Sequence, residues 1–160
     1  MPVRRQPLAR RPRTGADHAP LQLERFLPYQ LSILSNTISQ AIAEDYQRRF
    51  ELGVTEWRVM AVLARFDGLS AREVAERTAM DKVAVSRAVA RLIDAGRVRR
   101  VTAAHDKRQS VLSLSAKGWK VYEQIAPLAL EHERRLLAHL DGDERAWLGR
   151  ILDKLWQAEL

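Results

Sequence analysis

The fold is decided by residues 70–114, which read SAREVAERTAMDKVAVSRAVARLIDAGRVRRVTAAHDKRQSVLSL. Ser70 and Glu73 have the spacing of a capping box, in which each side chain satisfies a free backbone N–H at the start of a helix. The spacing predicts a short helix that runs to about Thr78 and is followed by a brief connection at residues 79–80. The stretch therefore opens with one short helix and a tight turn.

A second helix is predicted directly after this turn. Asp81 is a suitable N-cap, and Gly96, just after Ala95, supplies a left-handed terminator. The inward stripe repeats at helical spacing: Val85, Val89 and Leu92. The remaining surface is basic and hydroxyl-bearing: Lys82, Ser86, Arg87 and Arg91. The segment therefore has the pattern of a helix-turn-helix with a polar, cationic outer face.

Two strands are predicted next, over residues 97–102 and 109–114, because the second alternates Val111 and Ser113 with Leu112 and Leu114. The polar loop between them, residues 103–108, has a charged tip. Residues 82–108 contain eight Lys or Arg side chains and only two Asp. A helix-turn-helix followed by a basic hairpin is the pattern of a winged helix, and this local charge fits a polyanionic partner.

Long helices are predicted on both sides of this lobe. Residues 21–50 carry an apolar repeat at three- or four-residue steps: Leu27, Leu31, Leu34, Ile38 and Ile42. Gly53 is a stop signal, and Thr55 is a candidate cap for a helix over residues 56–66. Ser115 is predicted to cap a helix that runs to about His139. Asp141-x-x-Glu144 begins a last amphipathic helix with an apolar face: Trp147, Leu148, Ile151, Leu152, Leu155 and Trp156.

These elements predict a mainly α fold with a small β-hairpin wing. Residues 55–114 form the winged helix-turn-helix lobe, and residues 21–53 and 115–160 are predicted to be dimerisation helices, so that residues 21–160 make one domain. Residues 1–20 contain four Pro and five Arg, which predicts a flexible basic arm. That arm is either a minor-groove contact or a tail without a specific role.

Composition narrows the function classes. The 160 residues have a formal charge of +7 and contain no Cys, which excludes disulfides, a thiol switch and Cys-based zinc sites. No apolar run approaches the roughly 18 residues that span a bilayer, so we expect a cytoplasmic protein with no membrane partner. The four His are scattered, and the sequence contains no phosphate loop or nucleophile elbow. We therefore expect neither an enzyme nor a cofactor.

From Leu21 onward the sequence resembles the MarR family of bacterial winged-helix regulators. The resemblance rests on five motifs: Ser70-x-x-Glu73-Val74-Ala75, Val85-Ser86-Arg87 with Leu92, Gly96-Arg97-Val98-x-Arg100, Asp106-Lys107-Arg108, and Leu114-Ser115-x-x-Gly118. It implies a homodimer with interlocking terminal helices that binds a pseudo-palindromic double-stranded DNA operator. The arm before Leu21 is not required by the family pattern.

Chemistry and this resemblance together predict the DNA-binding residues. Side chains near the start of a helix in the major groove reach base edges or phosphates. The predicted contacts on the second helix are Asp81, Lys82, Ala84, Ser86, Arg87 and Arg91. At the wing, Asp106 can orient Arg108, which the resemblance places at or in the minor groove, beside Lys107. The alternative interpretation of such charges is a solvated helix face and an ordinary polar turn.

The family often binds small aromatic acids, which suggests an effector site. The candidate lining combines side chains from two helices. The first helix supplies the polar Ser32, Asn36 and Ser39, and the second supplies the aromatic Trp57, the thioether of Met60 and the cation of Arg65. Ordinary surface and core packing is the alternative. Two stretches, residues 26–32 and 56–60, resemble a subgroup that responds to aromatic carboxylates or their CoA thioesters and represses catabolic genes. The competing functions are a ligand-independent architectural DNA binder and a winged helix used for protein interaction.

Overall fold

The computed structural model describes residues 20–102 and 110–158. After a 3-10 turn at Leu23–Arg25, the elements follow in this order: α1 Leu27–Phe50, α2 Val54–Arg65, α3 Ala71–Thr78, α4 Lys82–Asp94, β1 Val98–Thr102, β2 Ser110–Leu114, α5 Ala116–Leu137 and α6 Gly142–Trp156. The strands form an antiparallel pair. The predicted class, mainly helical with a two-stranded wing, is confirmed. In the described ranges, no helix is long and apolar enough to cross a membrane.

The chain divides between Leu34 and Ser35 into two compact units. In the first unit, the helical start predicted at Leu21 is wrong, because residues 23–25 form a 3-10 turn and Phe26 is extended. Pro28 explains the break, since in a continuous helix its ring would clash with the carbonyl of Glu24. That carbonyl instead accepts a hydrogen bond of 2.7 Å from the side-chain amide of Gln30.

The core of the second unit lies among α2, α3, α4 and the hairpin, with α5 packed against it. Its fully buried side chains include Met60, Leu63, Leu92, Leu112 and Ile125. The inward stripe predicted for α4 is confirmed, because Val85, Val89 and Leu92 are each 1% exposed. Burying a side chain of this size stabilises the fold by about 1.5 to 3 kcal/mol, so the stripe fixes the rotation of α4.

The sequence predicted most helix starts from local capping, with one error. Side-chain caps at Ser70, Asp81, Ser115 and Asp141 are confirmed. The predicted cap at Thr55 is wrong, because α2 begins earlier, with Gly53 as its N-cap and no side-chain hydrogen bond. The carbonyl of extended Gly53 accepts the first helical hydrogen bond, at 3.0 Å from the backbone N–H of Trp57.

Helix α4 ends in a Schellman motif, as its glycine predicts. Gly96 has φ +67°, a left-handed conformation that glycine adopts without steric cost. Its N–H donates to the Ile93 carbonyl, and the Arg97 N–H donates to the Leu92 carbonyl, both at 2.8 Å. Strand β1 begins one residue later, with Val98 opposite Leu114. The glycine therefore sets the angle at which the chain leaves α4 for the wing.

Candidate DNA-binding surface and adjoining polar cluster

Helices α3 and α4 form a helix-turn-helix. Both bonds of the capping box are present: the Ser70 side chain accepts from the Glu73 N–H at 3.3 Å, and Glu73 accepts from the Ser70 N–H at 2.8 Å. Hydrogen bonding of the Glu73 carboxylate to the Ser70 side chain and to the Ser70 backbone N–H holds the pKa of Glu73 below its usual value. Ala79, with φ +50°, makes the left-handed turn into α4. The motif is therefore held by local bonds at both of its helix junctions.

The start of α4 presents polar and cationic side chains to solvent. Lys82, Ser86 and Arg87 are exposed, opposite the buried stripe. An open groove of about 310 Å³ between α3 and α4 is lined by two of them, Lys82 and Ser86, with Arg72. Asp81 caps the helix through a 2.9 Å bond from the Ala84 N–H, and Ala84 itself is half-buried. Of the predicted DNA-binding residues near this end of α4, Lys82 and Ser86 therefore line an open groove.

Arg91 lies at the other end of α4 and is tied to α2. Its Nε donates to Oε1 of Glu56 at 2.5 Å, and the Glu56 side chain is only 11% exposed whereas that of Arg91 is 61% exposed. Glu56 was not among the predicted site residues. A carboxylate that bonds an arginine through Nε restricts the direction of the guanidinium, so Glu56 helps to fix the orientation of the Arg91 side chain.

The base of the wing is also basic, because Arg99 and Arg100 on β1 are exposed. Three predicted wing residues, Asp106, Lys107 and Arg108, lie outside the described residues. The arginines of the predicted arm, at residues 1–20, also lie outside them. The described part of the candidate DNA-binding surface therefore consists of α3, α4 and the strands of the hairpin.

A polar and aromatic cluster lies where α1, α2 and α5 meet. Arg58 donates from Nη2 to the Ser39 hydroxyl at 2.7 Å. The ring of Trp57 is stacked on Tyr122 at 5.7 Å and is tilted against Tyr46 at 5.9 Å. We call these five residues, Ser39, Tyr46, Trp57, Arg58 and Tyr122, the α1–α2 cluster.

Tyr46 is the most enclosed member of this cluster. Its side chain is 0% exposed, and among the described residues its hydroxyl has no hydrogen-bond partner. Burial, reinforced by the nearby Glu56 charge, raises the pKa of Tyr46 to about 12. An unsatisfied buried hydroxyl costs free energy, so Tyr46 places a polar group in this cluster at an energetic cost.

The structure brings only some of the predicted effector residues to this cluster. Ser39 and Trp57 belong to it, whereas Met60 is fully buried in the core and Asn36 is exposed on α1. Arg65 lies about 10 Å further along α2 than Arg58 and packs over the ring of Phe66 at 5.0 Å.

Ser32 is exposed and belongs to the first unit. The cation beside Ser39 is thus Arg58, which sequence reasoning missed. No local pattern predicts this pair, because Ser39 and Arg58 are 19 residues apart and lie on different helices.

The described parts of the chain contain no group of three His, Cys, Asp or Glu side chains that could hold a metal ion. His132 on α5 instead pairs with Asp45 on α1, at 2.6 Å between Nε2 and Oδ2. The described surfaces therefore offer exposed cationic side chains on α4, and the α1–α2 cluster places a guanidinium near aromatic rings.

Comparison with known proteins agrees with this architecture. The family model described as MarR family matches residues 50–109. The regulator BilQ of Clostridium symbiosum is 33% identical over 88 residues, which are 55% of this chain and 61% of BilQ. The transcriptional repressor Rv2887 of Mycobacterium tuberculosis is 27% identical over 143 residues, covering 88% of this chain and 96% of the repressor.

A solved MarR/EmrR family regulator from Acinetobacter sp. ADP1 superposes with a TM-score of 0.76 at 29% identity, over 84% of this chain and 95% of that structure. The fold and the candidate site define a winged-helix protein with a cationic helix-turn-helix. The similarities in sequence and structure strongly support its assignment to the MarR family.

Proposed function

We propose that this protein is a homodimeric transcription regulator that binds double-stranded DNA through α4 and the wing. The carrying observation is the division of α4 into a buried stripe and an exposed face with Lys82, Ser86 and Arg87. A helix fits the major groove, where such side chains reach base edges and phosphates. The repressor Rv2887, which is similar over most of both chains, supports repression as the mode of control.

The test is selection of random DNA duplexes followed by footprinting of the enriched sequence. We expect an inverted repeat with half-sites about 10 bp apart, centre to centre, because the lobes of a symmetric dimer meet successive major grooves. Arg87→Ala should weaken binding, and if Arg87 neutralises a phosphate the log-log salt slope should fall by about 0.9. Arg134→Ala removes an exposed charge on α5 and serves as the matched control. A footprint over one half-site only would contradict the proposal.

Arg108 at the wing is expected to contribute separately. Arg108→Ala should weaken operator binding strongly and leave the dimer intact, because an arginine that enters a narrow minor groove gains from its negative potential. Sedimentation and gel-shift titration of the same sample measure both properties. Unchanged operator affinity would remove Arg108 from the DNA-binding surface.

Dimerisation is supported by the exposed face of α6. Trp147 is 57% exposed, Ile151 50% and Leu152 49%, and apolar residues contiguous along one helix face are typical of an interface. Ile151→Glu should therefore yield monomers in sedimentation at micromolar concentration. Asp153→Lys is the control, since it changes a charge about 160° around the same helix. A monomeric wild-type protein would refute this part of the proposal.

We further infer that an aromatic carboxylate or its CoA thioester binds at the α1–α2 cluster and releases the protein from DNA. Arg58 offers a cation for a carboxylate, Trp57 and Tyr122 offer aromatic walls, and Tyr46 offers a buried hydroxyl. Because binding linkage is reciprocal, an effector that weakens DNA binding must itself prefer the DNA-free form, and typical couplings are roughly 5- to 150-fold.

Two arginines on α2 make a matched pair for this test. Calorimetry and gel-shift with benzoates, hydroxycinnamates and their thioesters should show that Arg58→Ala loses the response and Arg65→Ala keeps it. The opposite result would return the carboxylate contact to Arg65, as the sequence predicted. If no compound in the panel binds, or if binding leaves operator affinity unchanged, a ligand-independent DNA-binding regulator becomes the better proposal.

A further inference from the structure

Arg97 lies at the point where α4, β1 and α5 meet. Its backbone N–H donates to the Leu92 carbonyl at 2.8 Å and so completes the end of α4. Its backbone carbonyl accepts from the Ser115 N–H at 2.9 Å, at the start of α5. The backbone N–H and the backbone carbonyl of Arg97 therefore form hydrogen bonds to two different helices.

The side chain of Arg97 reaches a third helix. One terminal nitrogen donates to the carbonyl of Phe50, the last residue of α1. Glu51 follows with φ +50°, so the chain turns away and the last carbonyls of α1 have no partner within the helix. A cation at this negative end of the helix dipole is favourably placed. The Nε of Arg97 is buried and, within the described ranges, has no hydrogen-bond partner. The side chain is therefore committed to α1 rather than to solvent.

The contact between Arg97 and α5 leaves little room for movement. A Cβ added at Gly118 would lie 2.1 Å from the Arg97 carbonyl oxygen, so glycine alone permits this approach. On either side of that contact, the Ser115 hydroxyl donates to the Gly96 carbonyl at 2.6 Å and Lys117 donates to the Ala95 carbonyl at 2.8 Å. Residues 95–97 are thus clamped to α5 through the backbone and to α1 through one side chain.

We propose that Arg97 is a positioning residue. It ties the wing junction, residues 95–97, to the end of α1, and so fixes the separation of the two DNA half-sites that the dimer can bind. This inference rests on the proposed function, because it requires a dimer that binds an inverted repeat. The recognition helix and the wing both leave from the segment that Arg97 holds. Rotation of that segment about α5 would move both DNA-contacting elements relative to α1, and the Arg97 side chain opposes this rotation.

The consequence is a change in selectivity rather than in affinity alone. A rigid pair of lobes accepts one half-site separation and pays for any other by distorting the DNA or itself. With the tie removed, each lobe can adjust, so operators shortened or lengthened by one base pair should be penalised less. Substitutions along a coupling element typically alter coupling by about 2- to 30-fold, and we expect the spacing discrimination of Arg97→Leu to fall within that range.

The experiment measures the affinity of the full-length protein for three duplexes whose half-sites have the selected separation, one base pair less and one more. Arg97→Leu should relax the ratio between these affinities, and Arg97→Lys, which keeps a cationic donor, should restore much of it. Arg99→Leu is the matched control, because it removes the exposed charge two residues away on β1. Arg99→Leu should lower the three affinities by the same factor and leave the ratio unchanged.

Two results would overturn the proposal: an unchanged ratio in Arg97→Leu, or a uniform loss at every separation, which would indicate a role in charge or stability only. If Arg97→Leu does not fold, Arg97→Gln is measured in its place and judged by the same two outcomes. Failure of the wild-type protein to bind any inverted repeat is a separate result and would refute the proposed function itself.

Discussion

Gly118→Ala is expected to destabilise the protein through one backbone contact. The new Cβ would lie 2.1 Å from the Arg97 carbonyl oxygen, and real Cβ contacts below 3.0 Å are essentially unknown, so α5 and residue 97 must separate by about 1 Å. That movement stretches the 2.9 Å hydrogen bond from the Ser115 N–H to the Arg97 carbonyl beyond bonding distance.

The size of the effect follows from three contributions. Overpacking typically costs about 1 to 3 kcal/mol, and a lost hydrogen bond in a partly buried site costs about 1 kcal/mol. Alanine recovers up to about 1 kcal/mol because its helix propensity exceeds that of glycine. The net free energy of unfolding should therefore fall by about 1 to 3 kcal/mol.

Urea denaturation measures this difference as a lower midpoint at an unchanged m-value, with wild type and variant at equal protomer concentration because dimer stability depends on concentration. Gly142→Ala is the control, since nothing lies within 4 Å of its added Cβ, and its midpoint should stay near that of wild type. A Gly118→Ala midpoint equal to wild type would show that the α5 contact with Arg97 yields without cost, which would also weaken the case for a clamped wing junction.

Substitutions at three further positions test the local chemistry. Tyr46→Phe should cost little stability, because the lost hydroxyl has no partner among the described residues, and should abolish a tyrosine titration near pH 12 in near-ultraviolet absorbance. Burial raises this pKa above its value in the unfolded chain, so the contribution of Tyr46 to the free energy of unfolding is fully present below about pH 10 and is lost as the pH rises toward 12. A variant whose alkaline unfolding matches that of wild type would contradict this. Gly96→Ala should lose about 1 to 2 kcal/mol, since φ +67° is unfavourable for alanine, and Gly96→Asn should lose less; equal midpoints for the two would argue against backbone strain. Asp81→Ala should lower the free energy of unfolding by about 1 kcal/mol because it removes a helix cap. Asp81→Ser should keep most of the stability that the cap supplies, and thermal melts of the two variants would show this.

Residues close together in sequence determined most of the fold. The capping pairs Ser70–Glu73 and Asp141–Glu144 and the terminator Gly96 each act through hydrogen bonds that span three to five residues. The apolar stripe of α4 fixes which face is buried by helical spacing alone. Such signals survive in a single sequence because the interacting groups are local. They were sufficient to predict the winged helix-turn-helix and the exposed side of its recognition helix.

Other features needed the tertiary structure, because their partners are far apart in sequence. Glu56 and Arg91 are 35 residues apart, and Arg97 and Phe50 are 47 apart. No periodic pattern predicts such pairs, since they depend on the angle and depth at which two helices pack. The cation beside Ser39 shows the same limit: Arg58 and Arg65 lie on one face of α2, and only the packing of α2 against α1 decides that Arg58 is the one that reaches the Ser39 hydroxyl.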